Sequence, residues 1–207
     1  MPSPIGHSLA GYLIYRADSD RYLTKQALYI ALFYVVFANL PDLDFIPGFL
    51  VGEPNKFHHG ISHSLGFAVL FGLLVSLFLY WRSSYGFLRN FLIFFCLYFS
   101  HVFLYYLAYD TSIPYGVPLL WPLSSEYYIS PISVFTDIER AQTSGVFISS
   151  LISLHNLWAV TVEVLVLLPI VAFILFIKRR ANKNAKWSII KIGNKLSLPS
   201  LRSQKNT

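Results

Sequence analysis

"HHGISHSLGFAVLFGLLVSLFLYW", residues 58–81, sets three of the chain's six histidines against the start of a long apolar run. From Ser64 to Trp81 no residue is charged. That length approaches the ~20 residues a helix needs to cross about 30 Å of hydrocarbon. Two further segments approach the same length, Phe91–Tyr109 without a charged residue and Leu157–Ile177 with one acid, Glu163. A fourth, Gln26–Leu40, has 15 uncharged residues, which suits a buried helix or a partial crossing.

The whole composition agrees with these segments. Of the 207 residues 55% are hydrophobic and 13% charged, against about 25% charged in an ordinary soluble domain. The expected fold is an all-α integral membrane helical bundle with three to four apolar helices and a polar site at the membrane edge. A single cysteine, Cys96, excludes an internal disulfide and a thiolate metal cage. The N-terminus lacks a basic region followed by a long apolar core, so no cleavable signal is expected.

Charge is divided unevenly. Nine of the sixteen basic residues lie between Lys178 and Thr207, where there is no acid. The remaining body has seven basic and ten acidic residues, a formal charge of −3. A basic tail directly behind an apolar segment reads as the cytoplasmic end of a span rather than a nucleic-acid site. Residues 1–177 are therefore taken as the membrane-embedded domain and 178–207 as a cytoplasmic tail. Within the tail, Trp187, Ile189, Ile190 and Ile192 among lysines suit the membrane surface, with Gly193 and Pro199 limiting any helix. Arg82 and Arg89 then fall inside as well, and the loops 41–63 and 110–156 face outward together. Whether 26–40 crosses decides the side of the N-terminus; charge favours crossing and length opposes it.

The polar residues beside these segments carry the chemistry. "NLPDLDF", residues 39–45, ends an apolar helix and sets Asp42 and Asp44 two residues apart. In an extended segment both carboxylates point to one side, where they repel unless a cation or water separates them. The bland alternative is a solvated turn. In "HHGISHS", helical spacing pairs His59 with His63, whereas a turn at Gly60 would bring His58 toward His63. Imidazole is the commonest protein metal ligand. The alternative is a polar approach to a helix capped by Ser62 or Ser64.

His101 lies inside a segment fit to span, where an ionisable group is costly and by default functional. Asp110, nine residues on, can join it only if the helix ends near Tyr109, as the following "DTSIPYGVPLLWPLS" suggests. Glu163 is a second ionisable group within a span, and His155 before that span is read as structural. Mixed His and Asp ligands suit zinc or another divalent transition metal rather than calcium. More ligands than one ion needs point to two or more metals, an arrangement suited to hydrolysis of phosphoesters.

The ordered set "IGHSLAGY" (5–12), "NLPDLDF" (39–45), "HHGISHS" (58–64), "SHVFLYYL" (100–107) and "PYGVPLLWPLS" (114–124) resembles a family of membrane-bound metal-dependent hydrolases. The family includes a LexA-binding inner-membrane protein of bacteria. It is similar in fold to zinc-dependent phospholipase C and the single-strand-specific zinc nucleases. The resemblance implies a helical site for more than one zinc ion, with ligands His7, Asp42, Asp44, His58, His63 and His101. It selects His58 where helical spacing selected His59, which is kept beside the site. One position departs from the family pattern: an Asp is usual four residues after the "SH" histidine, and here that residue is Tyr105. Either Asp110 substitutes as a ligand, or one metal subsite is weakened or lost.

The function expected from these readings is hydrolysis of a phosphoester, with Asp42 and His63 as the central catalytic residues. Membrane lipids are the expected partners, and an amphiphilic substrate such as a phospholipid or lipid-linked phosphate suits a site at the bilayer edge. No nucleic acid is expected. The location is the bacterial inner membrane with the C-terminus cytoplasmic. Two other classes remain: a catalytically degenerate protein binding metal or a protein partner, favoured by Tyr105, and transport through His101 and Glu163.

Overall fold

The computed structural model describes residues 1–19, 24–84, 86–111 and 113–196, with side chains up to Ala181. Among the described residues there are seven α-helices and no strand; two isolated β-bridges, Ala108 with Phe135 and Val117 with Tyr128, brace the long loop. Helix α1 (Pro4–Asp18) starts with proline in its first turn and with Ser3 as cap, whose hydroxyl accepts from the amides of Ile5 and Gly6. Helix α2 (Lys25–Ala38) is capped by Thr24. Pro41 stops it, and a 3₁₀ turn over Leu40–Asp44 leads into the short α3 (Phe45–Leu50).

Helices α4 (Leu65–Ser83) and α5 (Phe87–Tyr106) form a hairpin. Ser64 caps α4 through the amide of Phe67, and Ser84 ends it in a left-handed conformation. The buried stripe of α4 is Ala68, Gly72 and Ser76, four residues apart. Small residues at that spacing let two backbones approach closely without help from the hydrophobic effect, as helices in lipid must. A Cβ added at Gly72 would lie 3.1 Å from the Phe95 amide nitrogen on α5. The larger buried residues of α5 are Phe94, Leu97, Tyr98, His101, Val102, Leu104 and Tyr105, while Phe91 and Phe95 meet Gly72.

After the long loop come α6 (Ser144–Ser150) and α7 (Leu154–Leu196). Helix α7 runs unbroken past Lys178 and through Gly193 to Leu196, so the basic region starts as helix; Pro199 and the rest of the tail lie outside the described residues, as do the side chains of Trp187 and the tail isoleucines. Helix α1 packs against α2, α5 and α7.

Among the described residues three helices are long and apolar enough to cross a membrane: Leu65–Ser83, Phe87–Tyr106 and the Leu154–Ala181 part of α7. The expected segments agree with these to within a few residues. Lys25–Ala38 qualifies only together with Leu40–Leu50, across a 52° bend, as a broken span or a re-entrant loop. Leu74, Phe78 and Trp81 on α4, and Leu165, Leu168 and Phe173 on α7, are exposed. A row of such residues is untenable in water and natural in hydrocarbon, because lipid solvates apolar side chains while each helix satisfies its own backbone. The start of α4, the end of α5, the start of α7 and the end of α2 meet at one end of the bundle. His101 stands five residues before the end of α5, about 7.5 Å inside it at 1.5 Å per residue.

Candidate metal centre

Five of the residues singled out from the sequence come together at that end of the bundle. His7, Asp42 and His101 form one group, and Asp42, His58 and His63 a second; within each, one potential ligand atom per residue lies within 4.8 Å of the others. Asp42 belongs to both. The side chains arrive from α1, the turn after α2, the loop before α4, and α5, so no one element could build the site alone.

The turn Leu40–Asp44 explains how two neighbouring carboxylates serve different partners. It is a 3₁₀ turn rather than the extended segment assumed from the sequence. Residues two apart then diverge by about 120° around the axis instead of sharing a side. Asp42 Oδ1 faces Nε2 of His101 at 3.2 Å and Nε2 of His63 at 3.7 Å. Asp44 lies behind the histidines: its oxygens take Nδ1 of His58 at 2.8 Å, Nδ1 of His63 at 3.1 Å and the Ser62 hydroxyl at 2.8 Å. It thereby fixes both rings with Nδ1 protonated. His101 is fixed in the same sense, donating from Nδ1 to the Ala38 carbonyl at 3.0 Å. Ligand histidines in metalloproteins are held by such outer hydrogen bonds, which set the tautomer and aim the other nitrogen. Here the Nε2 atoms of His63 and His101 converge to 3.2 Å.

The histidine loop takes the second of the two conformations weighed from its sequence. His58 and His63 are brought together, their ring centroids 4.9 Å apart. The left-handed residue is His59, with φ 66°, and not Gly60, whose φ is −74°. His59 belongs to neither group: its ring lies 4.4 Å from that of His58, centroid to centroid, and its Nδ1 lies 3.6 Å from Asp110. Helix α5 does end early enough to release Asp110, yet Asp110 turns to His59 and to the amide of Gly116 at 2.8 Å, not to His101. Tyr105 instead enters the site, its hydroxyl 3.1 Å from Asp42 Oδ1 and 2.9 Å from His58 Nε2.

Burial sets the protonation of these groups. His7 and His59 are held neutral well below the usual imidazole range by desolvation, reinforced by neighbouring imidazoles. Desolvation likewise brings His58 down to about 3, against its hydrogen bond to Asp44. Burial also opposes charge on His63, but bonds to Asp42 and Asp44 outweigh it and raise this group to about 9. His63 thus carries a proton toward Asp42 and His101 where several lone pairs converge.

The donor set fits a metal ion. His7 is completely buried and stacks on His101 with ring centroids 3.7 Å apart, yet neither of its ring nitrogens has a hydrogen-bond partner among the described residues. A buried imidazole left so costs about 1–3 kcal/mol, a penalty that coordination to a cation removes. Three protein ligands of His and carboxylate type in each group would also leave a coordination position open.

Phe45 was not singled out from the sequence, and Ser62 and Glu163 take parts other than those expected of them. Phe45 stacks on His58 with ring centroids 3.8 Å apart, and Ser62 bonds Asp44. Glu163 is buried on α7 and accepts from the amides of Ser3 at 2.6 Å and Gly6 at 3.0 Å, and from the Ser3 hydroxyl. It joins α7 to the first turn of the helix that carries His7. His155 stands apart from the cluster, with Nε2 on the Asp137 carbonyl at 2.9 Å, in keeping with a structural part.

A family model described as "YdjM inner membrane protein" matches residues 1–183, and the chain belongs to that family. No curated protein and no solved structure matches it.

Proposed function

Starting from membership of an inner-membrane protein family, we propose that the chain is a membrane-bound, metal-dependent hydrolase of phosphoesters, with zinc as its metal. The observation that carries this is the pair of His/Asp groups sharing Asp42, with a buried and unpartnered His7 at its heart. When bound, zinc supplies Lewis acidity that activates water near neutral pH. The chain's own residues then divide the work. His7, Asp42, His58, His63 and His101 hold the metal, and Asp44 and Ala38 keep three of the rings aimed. Asp42, between the two groups, is the natural acceptor for a proton released from the attacking water.

The site lies at the end of the bundle beside apolar spans, which supports an amphiphilic substrate such as a phospholipid or lipid-linked phosphate. With the basic region after α7 on the cytoplasmic side, the site faces outward, since α7 starts at the site and ends in that region.

Tyr105 favours a second reading. Its hydroxyl lies within hydrogen-bond distance of two of the ligand atoms, Asp42 Oδ1 and His58 Nε2, and its one proton serves one of them at a time. A protein that binds metal in the first group alone and hydrolyses nothing would look the same. Transport loses its second group, because Glu163 is engaged in capping α1.

Turnover of a panel of phosphodiesters by the zinc-loaded protein in detergent separates the readings. The hydrolase reading expects activity to fall by about 10³-fold or more in Asp42→Asn and His63→Ala with helical content retained. Activity equal to wild type in both variants, or none in the metal-loaded wild type, would overturn it.

A further inference from the structure

A cavity of 520 Å³ opens beside the metal centre, with His58 and His59 on one wall and Asn55, Ile113 and Arg140 around it. The direct contacts of Arg140 there are neutral, and Asp42, Asp110 and Asp137 act on its charge from farther off. Its Nε donates to Asn55 Oδ1 at 2.6 Å, and its guanidinium lies 5.5 Å from the ring centroid of Phe45, the ring that stacks on His58. Among the described residues no carboxylate oxygen lies within 4 Å of it. Asn55 is itself pinned, donating to the Ala141 carbonyl at 3.1 Å and to Gln142 at 3.0 Å.

The two acids that share the cavity are turned to other work. Asp137 accepts from the Thr111 hydroxyl and lies 3.6 Å from His155. Glu139 is exposed, and its backbone is tied at both ends to Asn156. Asp42, Asp110 and Asp137 offset the guanidinium charge only from beyond 4 Å, which leaves room for an anion to pair with it directly beside the metal centre. The guanidinium offers its two terminal nitrogens as a planar fork, the geometry that matches two oxygens of a phosphoryl group.

We propose that Arg140 anchors the phosphoryl group of the substrate, holding it in this cavity against the His58 wall of the metal centre. The proposal deepens the hydrolase reading and rests on it for the chemistry, though not for the binding of the anion. Arg140 is a binding residue that selects phosphate monoesters or diesters over neutral esters. Ile113 at the rim, which is 83% exposed, offers an apolar surface to whatever chain the phosphate bears.

The test uses the full chain in detergent, as wild type, Arg140→Gln, Arg140→Lys and His63→Ala. Metal per chain is measured by mass spectrometry, and the binding of inorganic phosphate and of a short-chain phosphatidic acid by calorimetry. The expected result is that Arg140→Gln keeps the wild-type metal content and unfolding temperature while losing at least about tenfold in affinity for both anions. Arg140→Lys is expected to lose less, since it keeps the charge without the fork. Tighter binding of the phosphatidic acid assigns the anion to a lipid headgroup, and equal binding to a free phosphate; either supports Arg140 when Arg140→Gln abolishes it. Unchanged affinity in Arg140→Gln, absence of binding to wild type, or parallel loss of stability in both arginine variants would overturn the proposal. Absence of metal from wild type would instead defeat the hydrolase reading, and phosphate binding lost in Arg140→Gln would still stand.

Discussion

At Tyr105 a single side chain links the two ways the site can exist. Its buried hydroxyl stands 3.1 Å from Asp42 Oδ1 and 2.9 Å from His58 Nε2, the same atoms that a cation would need, with one proton to give to either. Removing that hydroxyl leaves His58 Nε2 without a partner in the metal-free protein, a cost of about 1–3 kcal/mol. In the metal-loaded protein the ion supplies the partner and the cost shrinks. Tyr105→Phe is therefore expected to unfold earlier than wild type without metal and to gain more from added zinc. Thermal unfolding in detergent with and without zinc reads this, and an equal gain in both proteins would show that the hydroxyl does not stand in the place of the ion. The residue types of the site were legible in the sequence because histidines and aspartates are conspicuous in an apolar chain. Their order was not: Asp44 and Asp42 look equivalent until a 3₁₀ turn sends one behind the rings and one between them.

Among the elements, α1 is the one that the sequence described least. It holds His7, and its start is fixed by a carboxylate 157 residues away, Glu163 on α7, through the amides of Ser3 and Gly6. The first amides of a helix lack intrahelical partners, and an acid placed there satisfies them and suits the helix dipole. Glu163→Ala is expected to cost about 1–2 kcal/mol, as loss of a cap does, and to weaken metal binding at His7 while sparing the group of His58 and His63. Zinc titration with thermal unfolding checks both parts; full metal affinity in this variant would show that Glu163 does not position α1. A span is legible from length and lack of charge, so α4, α5 and the apolar part of α7 could be placed within a few residues. Glu163 could be flagged as costly in a span, but a contact between residues 3 and 163 has no local trace. Neither does the lone Arg140, which acquires meaning only when the loop folds beside His58.

Over the whole molecule, the bundle gathers its buried histidines, His7, His59, His63 and His101, at one end and exposes apolar side chains along its spans. That division predicts how the metal-free protein responds to pH. His7, His58 and His59 have lowered folded values, so unfolding takes up protons below their ordinary value near 6.5, and their contribution is lost as pH falls from there. His63 has a raised value, so its contribution is complete below 6.5 and is lost as pH rises through about 9. Stability of the metal-free protein should therefore fall as pH drops below 6.5, where three groups act together. Denaturation followed from pH 4.5 to 9.5 checks this, and a plateau through pH 5 would contradict the buried neutral histidines. The most direct measurement of the central claim is metal content per chain, by mass spectrometry, for wild type, His7→Ala and Asp42→Asn purified without chelators and supplied with zinc. Because Asp42 belongs to both groups and His7 to one, stoichiometric metal in wild type should be reduced in His7→Ala and abolished in Asp42→Asn. A wild-type protein that binds no metal, or an Asp42→Asn variant that binds as much as wild type, would contradict the account.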